Sequence, residues 1–362
     1  MRFAKFLVAL LVISIFFTSC NKKKEGTEGE TKGEIVKHEV TKSASSVTAA
    51  QIKALSDVLM AGDVLVKEKN GYNKEISELS RSFKNLKTPF LFKKGSKFKH
   101  VKISYSFSTV WVYVYSNADK KDADKLFWIT INYKDNMTDT RRKRYNEKFA
   151  GLNTKHFKDA WVWALLKGDI EIQVSASGKT TKNDKAMEEV LKEFDIKAIE
   201  TIFTAKTPYP KLKEYFLKMK VLNAKVRVVN DKFKAMEKDA IAAFEPFLNR
   251  EGFLKDYTLS KIYYSTSNTF SLYVKKDKKN LATVYVGRAD LIGALSYFRS
   301  KTVKNFKTEG FDSTSYKNNL VIVKLPKVAV KVTSYSKDPF TTAENLKKVA
   351  ASILLKELAK IK

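Results

Sequence analysis

Val101-Lys102-Ile103-Ser104-Tyr105-Ser106-Phe107, followed by Trp111-Val112-Tyr113-Val114-Tyr115, is the stretch from which the fold is read. Apolar and polar residues alternate along the first run, the period of a strand with one face buried. The alternation slips at Ser108-Thr109, which places a turn or bulge between two strands. About 160 residues later the same order returns. Ile103-Ser104-Tyr105-Ser106 is answered by Ile262-Tyr263-Tyr264-Ser265, and Trp111 to Tyr115 is set against Phe270-Ser271-Leu272-Tyr273-Val274. Recurrence at a fixed offset is the signature of an internal repeat.

Working outward, the two halves share more elements. Before each strand pair come two apolar stripes at helical spacing. They are Ile52, Leu55, Leu59, Val66 then Ile76, Leu79, Phe83, Leu86 in one half, and Leu212, Tyr215, Phe216, Met219, Leu222 then Phe233, Met236, Ala240, Phe244, Phe247 in the other. After the strand pair come Lys- and Asp-rich turns, a further strand, and a short helix (138–149 against 289–298). Two more strands lead to a closing helix, 184–203 against 342–361, with Thr341 or Thr342 as its N-cap. The pattern predicts an α+β fold of two tandem α-α-β-β-α-β-β-α units, each an antiparallel four-stranded sheet packed with helices. Thr207-Pro208-Tyr209-Pro210 marks the joint, giving repeat 1 over 49–206 and repeat 2 over 207–362.

The N-terminus has a different character. Arg2 and Lys5 precede an apolar run, Phe6 to Phe17, broken only by Ser14, and Thr18-Ser19-Cys20 follows. A basic start, a short apolar stretch and small residues before a cut form a secretory leader over residues 1–19. The run is too short for a permanent span, which needs about 20 apolar residues. Cys20 is the single cysteine of the chain. Cysteine directly after two small residues at that point resembles the lipobox of bacterial lipoproteins, with Phe17 where Leu is commonest. That relaxed form, in a Lys-, Phe- and Asn-rich chain, is similar to spirochaete (Borrelia-like) lipoproteins. The resemblance implies cleavage before Cys20, three acyl chains on it, and anchoring to the outer membrane, with the cell surface favoured over the periplasmic face. At about 0.8 kcal/mol per buried methylene, three chains hold the protein by roughly 20–30 kcal/mol. Asn21 to Thr48 lacks apolar periodicity and reads as a disordered tether completing the lipidated segment 20–48. Its reach is roughly 30 Å as a flexible coil.

The chain carries a formal charge of +30, which falls by two to +28 when Arg2 and Lys5 leave with the leader. An electropositive surface attracts anionic partners. The shortage of Arg relative to Lys, however, also fits AT-rich codon usage and a merely solvated surface. With Cys20 lipidated no internal disulfide can form, so the core must supply the stability.

Catalytic signatures are missing. His38, His100 and His156 are dispersed, no Gly-rich phosphate loop or nucleophile elbow occurs, and Glu188-Glu189 are helix neighbours that point apart. No enzyme activity, cofactor or metal is expected. The sharpest binding candidate is Arg141-Arg142-Lys143-Arg144, whose guanidinium forks suit phosphate, sulfate or carboxylate. Following the cap Thr138-Asp139-Thr140, these cations would sit against a helix dipole, a local cost that hints at another use. Second is the turn Lys275, Lys276, Lys278, Lys279, whose counterpart is Lys120, Lys121 and Lys125. A third cluster is Lys93-Lys94-Lys97-Lys99-His100. All four Trp (111, 128, 161, 163) lie in the first repeat, and their strand faces are expected to form core beneath a helix, the other reading being an exposed ligand platform.

The function expected from these features is that of a non-enzymatic envelope lipoprotein. Its membrane partner is the bilayer through the lipid anchor. Its ligand would be a host protein or a glycosaminoglycan-like polyanion; nucleic acid is not expected. The alternative is a periplasm-facing accessory subunit of an outer-membrane assembly or transport complex. Mass spectrometry of the native protein is expected to find a chain beginning at an acylated Cys20. An unmodified N-terminal residue contradicts the reading.

Overall fold

A computed structural model of the chain describes residues 47–83, 91–119, 121, 125–134, 137–157, 161–177, 183–249, 253, 257–298, 303–317, 319–335 and 342–361. Cys20, the leader, all of the expected tether except Val47 and Thr48, and Leu86, Lys120 and Thr341 lie outside the described residues. Val47 and Thr48 belong to the folded body. Val47 is buried, and Thr48 closes a capping box with Gln51 at the start of helix α1 (Ala49–Ser82).

The apolar stripes expected to be four helices are two. Helix α1 runs unbroken for 34 residues, and α5 (Pro210–Phe244) for 35, opened by Pro210 at its first position. The segments between the stripes, 67–75 and 223–232, are polar or mixed but rich in Lys, Glu, Ala and Val without proline, so nothing ends either helix. Each is about 50 Å long at 1.5 Å per residue. They pack antiparallel: Phe83 meets Tyr215 (ring centroids 5.2 Å), Lys225 lies over the Tyr72 ring (5.2 Å), and Lys232 reaches Glu68 (3.4 Å).

Two antiparallel sheets flank this pair. The first comprises β1 (Val101–Ser106), β2 (Thr109–Tyr115), β3 (Lys125–Tyr133), β4 (Glu147–Phe149), β5 (Leu152–Phe157), β6 (Trp161–Leu165) and β7 (Ile170–Ala176), in the order β1-β2-β3-β7-β6-β5-β4. The one-turn helix α2 (Asp139–Arg142) lies between β3 and β4, and α3 (Asp184–Glu193) and α4 (Ile196–Glu200) follow β7. The second sheet holds β8 (Thr258–Leu259), β9 (Tyr263–Ser265), β10 (Thr269–Lys276), β11 (Lys279–Gly287), β12 (Lys304–Thr308), β13 (Phe311–Tyr316), β14 (Leu320–Lys324) and β15 (Ala329–Ser334). Helix α6 (Ala294–Phe298) lies between β11 and β12, and α7 (Ala343–Ala351) and α8 (Leu355–Leu358) follow β15. Its order is β12-β13-β14-β15-β11-β10-β8, with β9 also on β10. From the β9 edge the two sheets have one strand order.

The α+β class therefore stands, but the sheets have seven and eight strands where four were expected. The additions, such as Leu152-Asn153-Thr154-Lys155-His156-Phe157 and Phe311-Asp312-Ser313-Thr314-Ser315-Tyr316, are polar strands without apolar alternation. For the same reason the expected helix 138–149 shrinks to α2 followed by β4. Each expected closing helix is two. The chain breaks at Phe194, bridged to Phe92, and at Ile353, bridged to Leu248. The flanking bonds match: Lys93 N–H to Glu193 C=O and Asp195 N–H to Leu91 C=O in one, Asn249 N–H to Ser352 C=O and Leu354 N–H to Phe247 C=O in the other. Thr342 is the N-cap of α7, accepting from Asn345 N–H.

One register expectation is corrected. Val110 pairs with Tyr105, and Phe270 pairs with Tyr264; all four are buried on the helix-covered face. Val110, not Trp111, therefore occupies the place of Phe270, and Trp111 that of Ser271. A one-residue slip exchanges the faces of a strand. It arises because the β9–β10 turn has three residues, 266–268, and the β1–β2 turn two. The extra residue is Asn268, fully buried at φ 52°. Its amide donates to Leu59 C=O (2.7 Å) and Asp63 (2.9 Å) on α1, and its oxygen accepts from Tyr264 (2.8 Å).

The cores do not follow the division at residue 206. The N-terminal half of α1 (Leu55, Leu59, Leu65) packs with the C-terminal half of α5 (Val229 to Phe244), the second sheet, α7 and α8. The C-terminal half of α1 (Ile76) and Phe83 just after it pack with the N-terminal half of α5 (Leu212 to Leu222), the first sheet, α3 and α4. Residues 46–362 are one compact unit, so the two sequence halves are not independent cores.

Gly62 of α1 lies against Asn268; an added Cβ would sit 2.2 Å from its Oδ1. Gly71, nine positions on, has open space. Gly62→Ala is expected to lower stability by roughly 2–3 kcal/mol through overpacking, and Gly71→Ala to raise it by about 0.5–1 kcal/mol, both read from urea midpoints.

Candidate binding face

Among the described residues, helices cover only one face of the first sheet. On the other, the register builds two aromatic rows. Ser104, Trp111, Thr130, Gln173, Trp163 and Lys155 form one; Lys102, Tyr113, Trp128, Ser175, Trp161 and Phe157 form the next. All four tryptophans stand on this face. The expectation that they are core beneath a helix is corrected: the core side is taken by Val110, Val112, Ile129, Val162 and Val174, and no Trp belongs to a buried apolar cluster among the described residues. Trp161 is 41% exposed, and Trp111, Trp128 and Trp163 are partly exposed.

The rings bury one another. Trp111 stacks on Trp128 (5.0 Å), and Phe157 tilts onto Trp163 (4.7 Å). Lys125 lies over the Tyr113 ring at 5.1 Å, and Lys155 over Phe157 at 4.7 Å. The indole N–H groups of Trp128 and Trp163 are covered and find no acceptor among the described residues. Such a donor costs about 1–3 kcal/mol, and phenylalanine would fill a merely structural position without it.

Among the described residues one acid sits on this face, Glu171, and it is fully buried. Gln173 donates to it (2.6 Å), Lys134 pairs with it (3.1 Å), and Tyr145 donates its hydroxyl. Burial first, then that bond and the charge of Glu171, push the Tyr145 phenol up. With Glu171 neutralised, Lys102, Lys148 and Lys155 leave the face electropositive.

Tyr145 ties in the arginine cluster. Thr138 caps α2, accepting from Arg141 N–H (3.3 Å), and Arg141 stands beside Tyr145. Arg142 pairs with Asp169 at 2.5 Å. Arg141, Arg142, Lys143 and Arg144 are exposed, and the first two neighbour the Glu171 end of the tryptophan face. The helix-dipole argument for them falls away, since α2 is a single turn and its arginines close it. Lys275, Lys276, Lys278 and Lys279 belong to the β10–β11 turn of the other sheet, where Asp277 and Lys278 take positive φ and Lys276 lies over Tyr257. The two basic candidates are therefore separate features, and only the first adjoins the aromatic face. Lys97 of the third cluster is paired with Glu189 (2.7 Å). Sequence reasoning named the tryptophans but put them on the wrong side. It did not single out Glu171, whose place between Ile170 and Ile172 on an alternating strand was the available signal.

The same face of the second sheet is partly closed. Ile292 and Ala294 pack on Leu320, Ile322 and Ala329. Among the described residues no group of three His, Cys, Asp or Glu could hold a metal, and no helix is long and apolar enough to cross a membrane. Comparison with protein-family models, curated proteins and solved structures finds no match.

Glu171→Ala would strand Lys134 and the Tyr145 hydroxyl, and is expected to cost about 3 kcal/mol or more in urea unfolding. Trp161→Ala, at the exposed end of its row, is expected to cost under about 1 kcal/mol. A larger loss for Trp161→Ala than for Glu171→Ala contradicts this placement.

Proposed function

We propose that this chain is a lipid-anchored, non-enzymatic envelope lipoprotein, attached through Cys20 and built from two tandem copies of one α+β unit. In this reading it binds an extended polyanion, of the glycosaminoglycan kind, on the tryptophan face of its first sheet. The observation that carries the binding site is that uncovered face. Indole planes stack on flat, weakly polar ring surfaces, Lys102, Lys148 and Lys155 supply countercharge, and Arg141 to Arg144 extend it with forks suited to sulfate and carboxylate. A bare apolar patch alone would suit a protein partner; the cations above Tyr113 and Phe157 favour the polyanion.

The duplication is supported by the common strand order, by register shifts at Val114/Tyr115 and Val274/Lys275, and by the paired bridges Phe92–Phe194 and Leu248–Ile353. On this view the copies have diverged: one kept its outer face open, while the other closed part of it.

The protein is expected to bind heparin near physiological ionic strength, to release it with rising salt, and to report binding as a change in tryptophan emission. Trp161→Ala with Lys155→Ala, and Arg141, Arg142 and Arg144→Ala, are each expected to lower the eluting salt. Salt-independent retention, no retention, or binding with unchanged emission contradicts the reading. Protease treatment of intact cells is expected to remove the protein; survival favours a periplasm-facing subunit.

A further inference from the structure

The outer face of the second sheet holds a cavity. It measures about 250 Å³ and is lined by Ser265, Ser267, Thr269, Ser271, Tyr285 and Lys331, with Leu291 and Ile292 on one side. Its floor is the row Ser271–Tyr285–Lys331, and the corresponding row of the first sheet is Trp111–Thr130–Gln173. Ser271 stands where the first sheet has an indole, which leaves the space. Lys331 stands where it has a neutral amide, which puts a charge there.

Lys331 is held by a backbone carbonyl and two aromatic rings. Its ammonium donates to Ile292 C=O (3.1 Å) and lies over the Tyr285 and Tyr297 rings (5.7 and 5.8 Å). No carboxylate pairs with it among the described residues. One of its three N–H donors is accounted for in this way. Burial lowers its pKa below the ordinary lysine value, so an anion beside it would offset a standing cost. A solvated surface lysine has no such cost to relieve.

We propose that this cavity binds a small hydroxylated carboxylate, its carboxylate on Lys331 and its hydroxyls among the Ser and Thr side chains. The volume corresponds to about eight waters at roughly 30 Å³ each, room for a single sugar-acid unit. A dissociation constant on the order of 1 mM suits a ligand of that size making one charged contact. This site is independent of the tryptophan face; failure of either leaves the other standing.

Saturation-transfer NMR on D-glucuronate tests it, with D-glucose as the neutral control. The full folded protein is expected to give a saturable signal with D-glucuronate and none with D-glucose. Lys331→Gln, which installs the first sheet's residue, and Ser271→Trp, which fills the space, are expected to abolish the signal while thermal melting is retained. If Ser271→Trp fails to fold, Lys331→Gln decides alone. No saturable signal, an equal signal with D-glucose, or a signal surviving Lys331→Gln overturns the proposal.

Discussion

The structure depends on one antiparallel pair of helices, α1 and α5, each dividing its apolar face between two sheets. Leu55 and Leu59 bury against one sheet, Ile76 against the other; Phe233 and Phe244 repeat the division in the opposite sense to Leu212 and Phe216. In each half the leading helix serves its own sheet with its C-terminal part and the other half's sheet with its N-terminal part. Neither sheet can bury its inner face without a helix from the other half. Without disulfides, and with burial of a large apolar side chain contributing about 1.5–3 kcal/mol, this sharing joins two modest cores into one.

That arrangement also decides where function can lie. The helix pair occupies both inner faces, so a ligand of either sheet must meet it on the outer face. Their contents differ in a physically legible way. The first is filled by indoles that shield one another, with Glu171 paired to Lys134 beneath. The second is partly roofed by 292–298 and keeps a small hydroxyl-lined space over a lysine. The switch from Trp111 to Ser271 and from Gln173 to Lys331 is the step from a flat platform to a pocket.

Much of this was legible in the chain. The alternation in Val101 to Ser106 and the cap Thr342 read correctly, as did the α+β class. What was lost was lost for identifiable reasons. Polar strands such as Phe311 to Tyr316 carry no apolar period, because Ser313, Thr314 and Ser315 are the residues they bury. The single extra residue Asn268 shifted the register of β10, and a shift of one moves every side chain to the other face. The side of the sheet on which the tryptophans stand is decided by long-range helix packing, to which the local pattern of Trp161-Val162-Trp163 is indifferent. The sharing of α1 and α5 was invisible because apolar stripes announce burial but not the sheet against which they bury.

All four tryptophans lie in the first sheet, which offers a direct test of the shared helices. Urea unfolding followed by tryptophan emission reports that sheet alone; far-ultraviolet circular dichroism reports the whole body. Coincident transitions with one midpoint are predicted, because neither core survives loss of the helix halves it borrows. Two separated midpoints, with the tryptophan signal lost while a substantial part of the dichroism remains, would contradict the account.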